Sequence, residues 1–358
     1  MQPRCGPAPA SVQVEAMTTS LKPFVLALAA LAVACGDDAN GSAETGETDS
    51  SSTDASTTDA PTTDTPTGGT TADTTGTDPS STGSVDTDEG SSGEDDSTGD
   101  VPELSNIDKA VALIDAFETG DPTALDYVSE SYIQHNLAFP DGKDVLVGLL
   151  AGRPTGFETQ TYRVFEDSDV VFMHNEFGGV WNEGVPQVTF DVFRFDDDGL
   201  IAEHWDNLAD VVDDMDGTTQ TDGPTEATSL RDTEANRAAV GEALQTLFVD
   251  GQWSQLGTYF DLENYIQHTP GAGPDSTGLQ MILGGLPDGT PFYSSVEYIY
   301  VMGDMALTLS EGFPNEETGL SDAYYDLFRM ENGLIVEHWD IVQTIPAEED
   351  WANANGKW

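Results

Sequence analysis

The feature that most constrains this chain is that it contains the same small domain twice. Tyr132-Ile133-Gln134-His135-Asn136 recurs as Tyr265-Ile266-Gln267-His268-Thr269, and Phe190-Asp191-Val192-Phe193-Arg194 recurs as Tyr325-Asp326-Leu327-Phe328-Arg329. A third word, Gly199-Leu200-Ile201-Ala202-Glu203-His204-Trp205-Asp206, returns as Gly333-Leu334-Ile335-Val336-Glu337-His338-Trp339-Asp340. The first histidine precedes the second by 204 − 135 = 69 residues in one copy and 338 − 268 = 70 in the other. Words kept in order at equal spacing mark a duplicated structural unit.

Each copy opens with helical periodicity. Ile107, Val111, Ile114 and Phe117 fall on one face, with Ser105 and Asp108 placed as a capping pair, and Val240, Ala243, Leu244, Leu247 and Phe248 repeat the pattern. A shorter apolar segment then leads to the Tyr-Ile-Gln-His word, read as a short strand, and residues 144–150 predict another helix. Strands are expected over 161–165, 170–177, 187–195 and 200–210, with Asp198-Gly199 and Asn332-Gly333 as the hairpin turns before the last strand of each copy. Helices first and antiparallel strands afterwards describe an α+β domain whose helices cover one face of a curved sheet and leave a pocket between the layers.

Upstream of the repeats the composition changes. Met17 is read as the start of an export signal, with Lys22, an apolar run from Phe24 to Val33 and small residues before Cys35. Ala32-Val33-Ala34-Cys35 resembles a lipobox, which implies lipidation at Cys35, cleavage before it and an exported chain held at the bacterial cell envelope, on the periplasmic or surface face of a membrane. Residues 36–103 are Thr, Ser, Asp and Gly with almost no apolar side chain, a composition expected to stay disordered as a stalk reaching ~50 Å. The expected division is 1–34 extension and signal, 35–103 stalk, 104–213 first domain, 214–228 linker and 229–358 second domain.

Charge narrows the partners. The chain carries 66 acidic against 11 basic residues, and only eighteen of the acids lie between Gly36 and Glu103. The domains are therefore acidic as well, which excludes nucleic-acid phosphate as a partner and leaves the lipid at Cys35 as the expected membrane contact. Cys5 and Cys35 both lie outside the repeats, so a disulfide framework or a cysteine zinc site is not available to them.

Residues two apart on a strand share a face. His204 and Asp206 are thus expected side by side in the pocket, with Glu203 and Trp205 turned the other way and Trp205 and Trp339 packing outside or between domains. His135 is expected to join them from the first strand and His174 from a neighbouring one. An imidazole beside a desolvated carboxylate suits proton abstraction next to a carbonyl. The histidine spacings offer no close metal-binding pair, and neither metal nor cofactor is expected.

With these words in hand, the chain resembles the SnoaL-like polyketide cyclases of the nuclear transport factor 2-like superfamily, and the aldol-condensation branch in particular. Ile341-Val342-Gln343 and Pro346 match the ending that follows Glu-His-Trp-Asp there. The resemblance implies two cone-shaped α+β domains, each a curved sheet closed by about three helices, packed as an intramolecular pseudo-dimer. It implies cofactor-free acid/base chemistry by Asp206, His204, His135 and His174 in the first copy and by Asp340, His338 and His268 in the second. His174 aligns with Leu309, so the first copy is the expected catalytic one. Since this fold also serves as a ligand-binding or association module, a noncatalytic cone binding a small apolar molecule is the competing expectation.

Overall fold

The computed structural model describes residues 103–213, 215 and 217–358. The segments read from the sequence as an export signal and a stalk, with Cys35, lie outside the described residues.

In the first copy, helix α1 (Asn106–Thr119) starts where expected: the Ser105 side chain accepts from the Asp108 N–H, and Asp108 in turn caps the Ser105 backbone. Gly120, at φ 75°, ends it in the left-handed conformation. A 3₁₀ turn, Pro122–Tyr127, follows, then β1 (Val128–Gln134), α2 (Lys143–Gly152), β2 (Thr159–Asp167), β3 (Val170–Phe177), β4 (Gln187–Phe195) and β5 (Ile201–Asp210). The second copy repeats the order with α3 (Thr233–Ala243), α4 (Leu256–Tyr259), β6 (Ile266–Gln267), α5 (Ser276–Ile282), β7 (Tyr293–Met302), β8 (Met305–Gly312), β9 (Asp322–Glu331) and β10 (Leu334–Thr344). Its opening helix differs from the even periodicity of the sequence, because the turn over Leu244–Val249 widens to a π-helix while keeping Leu244, Leu247 and Phe248 buried. Asn332 and Gly333 both have positive φ, 54° and 80°, as a primed hairpin turn requires.

The chain thus forms two five-stranded sheets with helices, in the orders β1-β5-β4-β3-β2 and β6-β10-β9-β8-β7. Four strands of each are antiparallel, but β1 and β6 run parallel to β5 and β10, a departure from the all-antiparallel expectation. That pairing lays the Gln-His end of the first strand beside the His-Trp-Asp strand, with Gln134 opposite His204 and Gln267 opposite His338.

Alternation sorts each sheet into two faces. One face of the first sheet, with Val171, Met173, Phe193 and Phe195, packs under α1 and α2 through Leu113, Ile114, Leu146 and Leu150. The second domain builds the same helix-covered core from Val240, Leu244, Phe260, Phe328 and Ile335. The other faces meet each other: Phe172, Phe190, Val192 and Trp205 of the first sheet share one buried cluster with Leu307, Leu309, Tyr325, Leu327 and Trp339 of the second. Each such side chain removed from water contributes ~1.5–3 kcal/mol. Asn207 bolts the sheets together by donating from Nδ2 to the carbonyls of Ala323 and Ile341, both at 2.9 Å. The residues from Asp100 to Trp358 consequently form one compact unit, the intramolecular pseudo-dimer.

The segment expected to be a mere linker is part of this packing. Arg163, 1% exposed, donates to the carbonyls of Thr221 (3.1 Å), Asp222 and Pro224 (2.7 Å) and lies 4.4 Å over the Trp339 ring. Burial, partly offset by the nearby Glu337 and Asp222 charges, lowers this guanidinium to about 10. Residues 352–358 make the reciprocal crossing, from the second domain onto the first.

Candidate active site

His204 and Asp206 project from β5 toward the helix-covered face. Their cross-strand partners are Phe193 and Asp191, and the His204 ring stacks on Phe193 at 4.6 Å. The two side chains share one face of β5, as alternation predicts.

Gln134 and Asp191 fix the two ring nitrogens of His204. Gln134 Oε1 accepts from the Asn136 backbone N–H at 2.8 Å, which orients the amide, and also lies 3.1 Å from His204 Nδ1. Nδ1 therefore donates. Nε2 stands 3.1 Å from Asp191 Oδ1. The second oxygen of Asp191 accepts from Asn175 Nδ2 at 2.8 Å and Thr189 Oγ1 at 3.2 Å. A proton is thus shared between Nε2 and Asp191, and both ring nitrogens are committed.

Asp206 is held differently. Its Oδ2 accepts from Asn136 Nδ2 at 2.8 Å, whereas Oδ1 is buried without a hydrogen-bond partner among the described residues. The residue is 7% exposed. Burial raises the carboxyl above its ordinary value; the charges of His204 and Lys357 and the Asn136 bond pull it down, the Asp191 charge pushes it up, and the net shift is upward. A carboxylate with one anchored and one unpartnered oxygen is a competent proton acceptor.

The second domain repeats the frame with different fittings. His338 Nδ1 donates to Gln267 Oε1 at 2.9 Å, its Nε2 lies 3.0 Å from Asp326 Oδ1, and its ring stacks on Phe328. Burial lowers the His338 pKa, but the Asp326 hydrogen bond and the charges of Asp340 and Asp326 outweigh it, so the net shift is upward. Asp340 Oδ1 accepts from Thr269 Oγ1 at 2.6 Å, and burial raises its pKa too. Tyr293 donates to Asp326 Oδ2 at 2.8 Å.

The remaining histidines correct the sequence expectation. His135 does not join His204: its ring stacks on Trp205 at 4.6 Å, on the face between the sheets, with Nε2 2.9 Å from Glu203 Oε1 and Nδ1 donating to the Gly356 carbonyl at 2.9 Å. His268 does the same with Trp339, Glu337 and the Thr219 carbonyl. His174 pairs across the strands with Phe190, also between the sheets, and its Nδ1 accepts from Arg163 Nη1 at 3.1 Å. Burial, with the Arg163 and His268 charges, holds its pKa well below that of a free imidazole. The physical reason is strand parity: His174 shares its face with Val170 and Phe172, and the helix-covered face of β3 belongs to Met173 and Asn175. Because His174 lies on the opposite face from His204, its replacement by Leu309 no longer ranks one copy above the other.

Asp191 and Gln134, with their counterparts Asp326 and Gln267, were not singled out from the sequence. The signal was present: a charged residue recurs inside an apolar strand word, 204 − 191 = 13 and 338 − 326 = 12 residues before the histidine.

The ligating atoms of Asp191, His204 and Asp206 lie within 4.8 Å of one another, as do those of Asp326, His338 and Asp340. Nδ1 of each histidine donates to a glutamine oxygen, which leaves Nε2, beside the two carboxylates, as the imidazole nitrogen that could face a proton or a cation.

No family model and no curated protein matches the chain. Single domains of it resemble solved structures described as SnoaL-like or nuclear transport factor 2-like. TsrD from Streptomyces laurentii aligns at 21% identity over 30% of this chain and 91% of that one, with a TM-score of 0.26. A SnoaL-like protein of unknown function from Burkholderia thailandensis aligns at 17% over 29% and 93%, with a TM-score of 0.24. An LEH-like epoxide hydrolase from M. tuberculosis aligns at 22% over 29% and 82%, with a TM-score of 0.25. Each alignment is about one domain long.

Proposed function

We propose that the first domain carries out cofactor-free proton transfer on a small neutral carbonyl compound, with Asp206 as the base. The observation that carries this reading is the unpartnered, buried Oδ1 of Asp206 beside a histidine hydrogen-bonded at both ring nitrogens. Oδ1 takes a proton from the carbon next to the carbonyl and leaves an enolate. The enolate either regains a proton at carbon, or attacks a second carbonyl whose alkoxide oxygen recovers the proton from Asp206. His204, tied at both nitrogens to Gln134 and Asp191, is not the exchanging group. The acidic surface favours uncharged substrates over carboxylates. The motif resemblance to SnoaL-like cyclases supports the same reaction class.

The test is deuterium uptake from heavy water into ethyl acetoacetate, cyclohexanone and acetaldehyde, measured with the parent chain and with Asp206→Asn. Loss of a positioned base is expected to slow exchange ~10²-fold or more. Equal exchange by both proteins removes Asp206 from the chemistry.

A second reading, a noncatalytic cone that binds a small apolar molecule, is favoured by one observation: His204 spends both nitrogens on Gln134 and Asp191. In that case saturable binding survives in Asp206→Asn and no exchange occurs in either protein.

We also propose that the domains work at the cell envelope, tethered through Cys35. Among the described residues no helix is long and apolar enough to cross a membrane, and the support for a lipid tether is the sequence around Cys35. Fatty-acid labelling of the parent and not of Cys35→Ser is the expected result; equal labelling removes the tether from that residue.

A further inference from the structure

Two of the residues that hold His204 and Asp206, Gln134 and Asn136, come from one short stretch whose backbone is gripped by the other repeat. Ala352 N–H donates to the Leu137 carbonyl at 2.8 Å. Asn353 Nδ2 donates to the carbonyls of Asn136 (3.0 Å) and Phe139 (2.9 Å), and Asn355 Nδ2 to that of Gln134 (2.9 Å). The Gly356 carbonyl receives the His135 Nδ1 proton, and Lys357 Nζ donates to the carbonyl of Asp206 itself. Asn353 and Lys357 are both buried.

A lighter version occurs on the other side. Residues after β5 cross to the second domain, where Thr218 Oγ1 donates to the Gln267 carbonyl at 3.1 Å and the Thr219 carbonyl receives the His268 Nδ1 proton at 2.7 Å. Gln267 is the residue that orients His338, and Thr269, two residues on, holds Asp340.

We propose that each site is set by the opposite domain: Asn353 and Asn355 are positioning residues for Asp206 and His204, and Thr218 is a positioning residue for His338 and Asp340. This rests on the proton-transfer reading for its purpose but not for its test. The chain of contacts is short. Asn353 fixes the Asn136 carbonyl, Asn136 fixes Asp206 Oδ2, and Asn136 N–H fixes the Gln134 amide that holds His204. A duplicated fold could have kept each strap on its own domain; exchanging them makes either site incomplete when the sheets separate. The straps also explain why His135 and His268 lie between the sheets: each imidazole fastens a crossing segment to a Glu-Trp pair.

The test reads the sites directly and needs no substrate. Titrations of His204 and His338 are followed by NMR in the full chain, for the parent, Asn353→Ala, the milder Asn355→Ala and Thr218→Val. The groups facing His204 are Gln134, Asp191, Asp206 and Phe193, and those facing His338 are Gln267, Asp326, Asp340 and Phe328. Substitutions at 353 or 355 are expected to move the His204 midpoint by half a unit or more and leave His338 in place; Thr218→Val should do the reverse. Midpoints that move together in every variant, or that stay still in every folded variant, overturn the proposal. Deuterium exchange that is absent from the parent would overturn the catalytic reading while leaving this coupling intact.

Discussion

Asn136 Nδ2 lies 2.8 Å from Asp206 Oδ2, and this one bond decides which oxygen of the carboxylate is left to act. Oδ1 stays buried and unpartnered. An arrangement of this kind costs stability, because a desolvated acceptor has exchanged water for nothing.

Asp206→Asn should therefore stabilise the fold at neutral pH while abolishing exchange. Burial raises the Asp206 pKa, so the folded state prefers the protonated form. The stability it contributes is fully present below the unfolded value of 3.8 and is lost as pH rises through the folded one. An amide at 206 escapes that loss. Thermal melts at pH 7 should shift upward by ~2–4 °C for each kcal/mol recovered, and the gain should vanish in acid. A melting temperature lowered at pH 7 would contradict the desolvated-carboxylate account.

His338 should behave oppositely to an isolated buried imidazole. Its pKa is raised above 6.5 because the Asp326 bond and the Asp340 and Asp326 charges outweigh burial. The stabilisation from its proton is thus present below pH 6.5 and lost as pH climbs through the raised value. NMR titration of Asp326→Asn should bring the midpoint down. An unchanged midpoint would mean that Asp326 is not the controlling partner.

Much of this architecture was legible in the sequence, and the part that was not has a definite cause. The repeat words, the Ser105–Asp108 cap and the Asn332-Gly333 turn are local signals, and the structure forms the corresponding elements at those residues. Alternation along β5 put His204 and Asp206 on one face from their spacing alone. Parity between different strands is not local: whether His174 shares a face with His204 depends on the register of β3 against β4, which places it opposite Phe190. The parallel pairing of β1 and the crossing straps are long-range choices as well. They become visible only when residues 135 and 356, or 268 and 219, meet in space.

Lys357 gives a pH test of the strap. Burial lowers its amine to about 8, against the pull of Asp206. A lysine depressed in the folded state contributes stability above its unfolded value near 10.5 and loses it as pH falls toward 8. Lys357→Met should therefore gain most over the parent below pH 8, with the difference shrinking between pH 8 and 10.5. Chemical denaturation at pH 7 and pH 10 separates this from a pH-independent packing change.

Gly223 tests the other strap. It sits at φ +95°, and an added Cβ would come 2.5 Å from Glu337 Oε1 and 2.7 Å from Trp339 Cζ2. Gly223→Ala should destabilise the folded unit by about 1–3 kcal/mol through overpacking, with further strain from the left-handed backbone. Denaturant melts that show no loss would mean that the strap does not pack against Glu337 and Trp339.

The most direct measurement is the titration of the Asp206 carboxyl itself, by carbon-13 NMR on aspartate-labelled chain, with the resonance assigned by its disappearance in Asp206→Asn. A midpoint above 3.8 is the expected result, since a sheltered carboxylate with one unpartnered oxygen holds its proton. A midpoint at or below 3.8 would mean that Asp206 is solvated or fully bonded, and the proposed proton transfer would lose its base.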